Sequence, residues 1–69
     1  MKLSARNVLP ATVKSVTPGA VDSEVIMELA PGLEVAAIIT KVSAEKLNLK
    51  AGGKVYAIIK ASNVMIGVD

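Results

Sequence analysis

The chain has 69 residues, eight basic against six acidic for a net charge of +2, with no cysteine and no histidine, and 52% of it is hydrophobic. That length allows one domain, residues 1–69, and the composition excludes disulfides and the commonest structural-metal ligands as its staple. A domain this short buries only about 60% of the surface its unfolded chain exposes, so the apolar surplus is expected to find cover in self-association.

No membrane segment is expected, because the apolar run Val35 to Thr40 is strand-sized and a spanning helix needs about 20 residues. The stretch Met1-Lys2-Leu3-Ser4-Ala5-Arg6-Asn7 lacks the apolar segment of a signal peptide. With the absence of cysteine this places the protein in the cytoplasm as an expectation, and the start at Met1 favours a complete protein. The basic residues stand singly, the pattern of solvated lysines and not of a polyanion-steering patch.

Turn signals at Pro18-Gly19, Pro31-Gly32 and Gly52-Gly53 divide the chain. Strands are predicted over Leu9 to Val16, Ala20 to Leu29 and Leu33 to Thr40. The second alternates, with Val21, Ser23, Val25, Met27 and Leu29 on one face and Asp22, Glu24 and Glu28 on the other. The third is apolar on both faces, which calls for a second packing layer. One helical turn follows, from Ala44 to about Leu49, with Ser43 as N-cap and Val42 and Leu47 as a hydrophobic staple. Lys54 to Ala61 forms a fourth strand, again apolar on both faces, and Val64 to Val68 a short fifth. The fold class is therefore all-β. The element order is that of a five-stranded OB-like Greek-key barrel with one short helix between strands 3 and 4; an SH3-like barrel has the same order.

No catalytic residue is assigned: without His or Cys the usual general bases and nucleophiles are missing, and the six carboxylates fall mostly on predicted polar faces. Nucleic-acid binding by an OB-fold needs aromatic platforms, and the chain offers Tyr56 alone. Small-anion binding fits the donors better. Ser43 stands at the start of the predicted helical turn, with Thr40 close before it. Lys60-Ala61-Ser62 ends the fourth strand with a cation, a free backbone and a hydroxyl, and Ser4-Ala5-Arg6 offers a similar trio near the N-terminus. Each has a plain alternative, as a helix cap or a solvated surface residue.

At these residues the chain resembles the molbindin family, the Mop-type molybdate-binding domain. The matching stretches are Ser4-Ala5-Arg6-Asn7, Ala11-Thr12-Val13, Pro18-Gly19-Ala20-Val21, Val35-Ala36-Ala37-Ile38-Ile39-Thr40, Ser43 with Leu47 and Leu49, and Gly53-Lys54-Val55 leading to Ile59-Lys60-Ala61-Ser62. They cover essentially the whole chain, and the pairing of a Ser-Ala-Arg-Asn start with a Lys-Ala-Ser strand end is specific.

The resemblance implies an OB-like barrel in a homohexamer built as a trimer of dimers, with molybdate as ligand, tungstate as a substitute and no organic cofactor. It places one class of site between Ser4 and Arg6 of one subunit and Thr40, Ser43, Lys60 and Ala61 of a neighbour, with Ser62 and the backbone of Ala5 contributing. A second class is placed around Gly19, Ala20 and Val21, near the three-fold axis. No residue is a direct ligand of a metal cation. The implied role is intracellular storage or buffering of molybdenum. Two alternatives stand beside it: an assembly module without a physiological ligand, and an OB-type nucleic-acid-binding domain.

Overall fold

A computed structural model describes residues 1–69. Four antiparallel strands, β1 (Asn7–Pro18), β2 (Asp22–Ala30), β3 (Leu33–Thr40) and β4 (Lys54–Ile59), form one sheet in the order β3-β2-β1-β4. A helix, α1 (Lys41–Lys46), lies between β3 and β4, and a single 3-10 turn, η1 (Ala61–Asn63), follows β4.

β1 is the spine. Its first half pairs with β4, from Asn7↔Ile59 to Thr12↔Lys54, and its second half with β2, from Thr12↔Glu28 to Pro18↔Ser23. The register slips between Val13 and Ser15, the two-against-one arrangement of a β-bulge, which bends and twists a strand. The Gly52–Gly53 segment covers this point: Gly52 N–H donates to the Val13 carbonyl at 2.8 Å, and Val13 N–H to the Gly53 carbonyl at 2.9 Å. β2 and β3 form a hairpin closed by Pro31-Gly32. Proline presets φ at the first turn position, and Gly32 takes φ 80° at the second, the combination a type II turn requires.

The alternation read in β2 holds in the structure: Ser23, Val25 and Met27 are buried on one face. Val25 and Met27 meet Ala11, Val13 and Ala57 from β1 and β4. Val13, with 1% of its surface exposed, is the most enclosed hydrophobic side chain. Val21 departs from the pattern: it lies before β2 begins and is exposed. In β3 and β4 one face packs on the core, while Ile38, Tyr56 and Ile58 on the other stay exposed. The single chain thus supplies one packing layer for strands whose sequence has two apolar faces.

The helix starts three residues earlier than the sequence pattern suggests and ends sooner. Thr40, not Ser43, is the N-cap: its backbone is extended (φ −66°, ψ 150°), and its hydroxyl oxygen accepts the Ser43 N–H at 3.0 Å. The strand end itself therefore caps the helix, with no intervening loop. Val42 and Leu47 are both exposed and make no staple, because with Thr40 at the cap they no longer occupy the staple positions. Asn48 stops the helix by taking φ 55°, a conformation asparagine tolerates, and Leu49 N–H closes back on the Ala44 carbonyl at 3.2 Å.

The expected fifth strand is the main difference. Val64 to Val68 makes no strand pairing in the single chain, and Met65, Ile66 and Val68 are each 92% exposed. β4 also ends at Ile59, since Lys60 opens the 3-10 turn. The sheet keeps two free edges, β3 and β4.

Candidate functional site

The register places the anion-binding candidates at opposite ends of β1. At its N-terminal end, Asn7 pairs with Ile59, so the residues flanking that pair, Arg6 and Lys60, leave the sheet side by side. The Asn7 side chain fastens this end by donating from Nδ2 to the Ile59 carbonyl at 3.1 Å. Ser4 and Ala5 precede Arg6, and Ala61 and Ser62 follow Lys60 into η1, where Asn63 N–H donates to the Lys60 carbonyl at 2.9 Å. Ser4, Arg6, Lys60, Ala61 and Ser62 are exposed, and Ala5 half-buried.

The electrostatics of this end are one-sided. The sole ion pair of the chain joins Lys14 to Glu34, far along the sheet; neither Arg6 nor Lys60 has a carboxylate partner. The two segments that leave this end of the sheet thus carry two cations, two serine hydroxyls and free backbone, and neither cation is in a salt bridge. Such a set suits a ligand that accepts hydrogen bonds and carries negative charge.

At the other end of β1, Pro18 pairs with Ser23 and Asp22 with Thr40. This draws Thr40 and Ser43 to the Gly19–Val21 turn. Lys41 N–H donates to the Val21 carbonyl at 2.8 Å, and Gly19 N–H to the Asp22 carbonyl at 2.7 Å. A Cβ at Gly19 would lie 2.7 Å from that same carbonyl oxygen, so no larger residue fits without moving the turn. The Thr40 hydroxyl donates to Ser43 Oγ at 2.8 Å while accepting the Ser43 N–H. That leaves the Ser43 hydroxyl proton free to point away from the protein.

Sequence reasoning therefore named residues that the fold gathers into two groups. Arg6 and Lys60, separated by almost the whole chain, become neighbours; Thr40 and Ser43 join Gly19, Ala20 and Val21 instead of Lys60. A pocket that drew on both groups would need more than one copy of the chain, because the length of β1, twelve residues, lies between them. Asn7 was passed over as a functional residue, although it closes the Ser-Ala-Arg-Asn stretch; its amide is what holds the N-terminal segment against Lys60. No three His, Cys, Asp or Glu side chains come together as a metal-holding group.

Residues 3–66 match the model of the TOBE domain family. Over all 69 residues the chain is 39% identical to the whole of a probable molybdenum-pterin-binding protein from Haemophilus influenzae. It is 47% identical to part of the molybdenum transport protein ModE of Azotobacter vinelandii, where it spans about a quarter (26%) of the relative's length. The chain belongs to the molbindin, or Mop-type, family of TOBE domains.

Solved molbindin structures agree with the fold. A molybdate-binding protein from Sporomusa ovata superposes with a TM-score of 0.91 at 40% identity, covering 99% of this chain and 100% of that one. ModG, a cytoplasmic molybdate-binding protein with molybdate bound, gives 0.93 at 46% identity over 100% of this chain and 49% of its own. The four-stranded sheet with its short helix is thus a molbindin sheet.

Proposed function

We propose that this molbindin binds molybdate between copies of itself, and that it stores or buffers the ion in the cytoplasm. The observation that carries the reading is the Arg6–Lys60 end of β1, where the Asn7↔Ile59 register sets two cations without a salt-bridge partner next to each other, with Ser4 and Ser62 two residues further along each segment. Thr40 and Ser43 of a neighbouring copy complete that site, and the Ala5 and Ala61 backbones contribute donors. Gly19, Ala20 and Val21 form a second site at the far end of the sheet. The assembly is a homohexamer, a trimer of dimers, which supplies the second layer that Ile38, Tyr56 and Ile58 lack in the single chain.

Selectivity follows from proton count and size. Molybdate at neutral pH is a dianion that only accepts hydrogen bonds. Monohydrogen phosphate would turn an O–H toward donors, an unsatisfied buried group that costs about 1–3 kcal/mol. Sulfate carries no such proton and is rejected by cavity size, its oxygens lying closer to the central atom. Tungstate matches molybdate in charge and shape and substitutes for it. No organic cofactor is needed, and without His or Cys no catalytic step is assigned.

The test is thermal unfolding with molybdate, tungstate, sulfate or phosphate, with particle mass measured in the same samples. Because a ligand that binds only the folded assembly stabilises it by mass action, the midpoint rises with molybdate and tungstate alone, on a hexamer-sized particle. An equal rise with all four anions removes the selectivity argument. No rise with any of them leaves an assembly module without a ligand.

A further inference from the structure

The β1–β4 ladder ends at the Asn7↔Ile59 pair, and Arg6 and Lys60 are the next residues beyond it on the two strands. Neither is in a salt bridge. In the ligand-free protein their like charges push the two segments apart, at a chain end where backbone pairing frays most easily. An anion site built here needs something other than charge to keep its halves together before the anion arrives.

The Asn7 side chain is placed to do this. Asparagine is a poor strand residue, yet it opens β1 in a half-buried position. Its Nδ2 donates to the Ile59 carbonyl at 3.1 Å, across 52 positions of sequence. One hydrogen bond thus ties the two segments together a single residue inside each cation. Beyond Lys60 a second bond braces the same strand end, from Asn63 N–H to the Lys60 carbonyl at 2.9 Å. The type of side chain matters as much as its place. An aspartate of the same shape would have no proton for the carbonyl and would neutralise the neighbouring cations, and a lysine would add to their repulsion. A neutral amide donates to the carbonyl and leaves both positive charges for a ligand.

We propose that Asn7 is a positioning residue of the Arg6–Lys60 anion site: its amide holds the two cationic segments together in the ligand-free protein, so that an oxyanion meets donors already in place. Groups ordered before binding lower the cost of binding. Asn7 acts through Arg6 and Lys60 and not by contact with the anion. The proposal deepens the molybdate reading above and rests on it.

Two measurements test it. The first uses the wild type alone, in which Asn7, Asn48 and Asn63 carry the only side-chain amides, so each NMR signal can be followed singly. In the ligand-free protein the Asn7 amide protons are expected to exchange with water about five- to tenfold more slowly than those of an asparagine peptide, the protection that one hydrogen bond gives. Equal exchange would overturn the tether. The second is a double-mutant cycle on molybdate affinity, by titration calorimetry of full-length wild type, Asn7→Ala, Lys60→Met and the double variant. Asn7→Ala alone is expected to weaken binding about five- to tenfold. In the Lys60→Met background, where no repulsion between the segments remains to be held, the same change is expected to weaken it less than about twofold. A merely structural Asn7 would show the same factor in both backgrounds, as independent sites do to within about twofold. That result, or wild-type affinity in Asn7→Ala, overturns the proposal and leaves the molybdate reading standing. A wild type that binds no molybdate removes both.

Discussion

Replacing Lys60 by methionine keeps most of the unbranched stem of the side chain and removes its charge, and its consequences have opposite signs with and without ligand. Without ligand, Lys60 stands beside Arg6 through the Asn7↔Ile59 register, and neither has an anionic partner. Two like charges about 6 Å apart in water repel by about 0.7 kcal/mol, less at physiological salt. Lys60→Met should therefore leave the ligand-free protein unchanged or stabilise it by a few tenths of a kcal/mol. With molybdate, the same change deletes a charge-assisted hydrogen bond, worth about 1.5–3 kcal/mol, so affinity falls by about 10- to 150-fold. Titration calorimetry with molybdate and thermal unfolding without it measure both halves. The reasoning fails if affinity is unchanged. It fails equally if the ligand-free variant loses more than about 1 kcal/mol, for that would make Lys60 a structural residue.

Four further outcomes follow from the packing. Val13→Ala removes two methylene equivalents from the most enclosed hydrophobic position and should cost about 2–3 kcal/mol with the cavity included, read as a lower urea midpoint. Gly19→Ala forces a Cβ to within 2.7 Å of the Asp22 carbonyl; about 1–3 kcal/mol of destabilisation is expected, and a neutral result would show the turn is free to open. Ser23 is 2% exposed and its hydroxyl bonds to no other protein group, so Ser23→Ala should be neutral or stabilising by about 1 kcal/mol in the same assay. The Glu34 carboxylate beside Lys14, by hydrogen bond and by charge, holds that ammonium above its ordinary 10.5, with Glu28 adding to the effect. Because the folded value is raised, the pair's contribution is fully present below pH 10.5 and is lost as pH climbs through the higher folded value. The stability difference between wild type and Glu34→Gln should accordingly hold level between about pH 7 and 10 and shrink only above that range.

Much of the fold was legible in residue order, and the reasons are local. Strand period, the Pro31-Gly32 turn and the alternation of Ser23, Val25 and Met27 against Glu24 and Glu28 each depend on neighbours within a few residues. The helix boundaries were not legible in the same way. Thr40 and Ser43 are both good caps, and the choice went to Thr40 because Lys41 is pinned to the Val21 carbonyl across the chain, a contact that composition does not announce. Likewise nothing local separates Val64–Val68 from the other strands; whether it pairs depends on an edge being available, and in one copy none is reached.

For the candidate site the division is similar. Sequence alone, read through its donor-rich stretches and its resemblance to molbindins, supplied Ser4, Arg6, Thr40, Ser43, Lys60 and Ser62 as a set rich in donors and free of carboxylates. How that set is partitioned came from antiparallel pairing. Arg6 and Lys60 are 54 positions apart in the chain, and only the β1–β4 register sets them side by side. The β1–β2 and β2–β3 registers carry Thr40 and Ser43 to the far end of β1, beside Gly19. Chemistry is a property of residue types and survives in a linear string, whereas proximity across a sheet is created by a register that distant hydrogen bonds and a buried face select together.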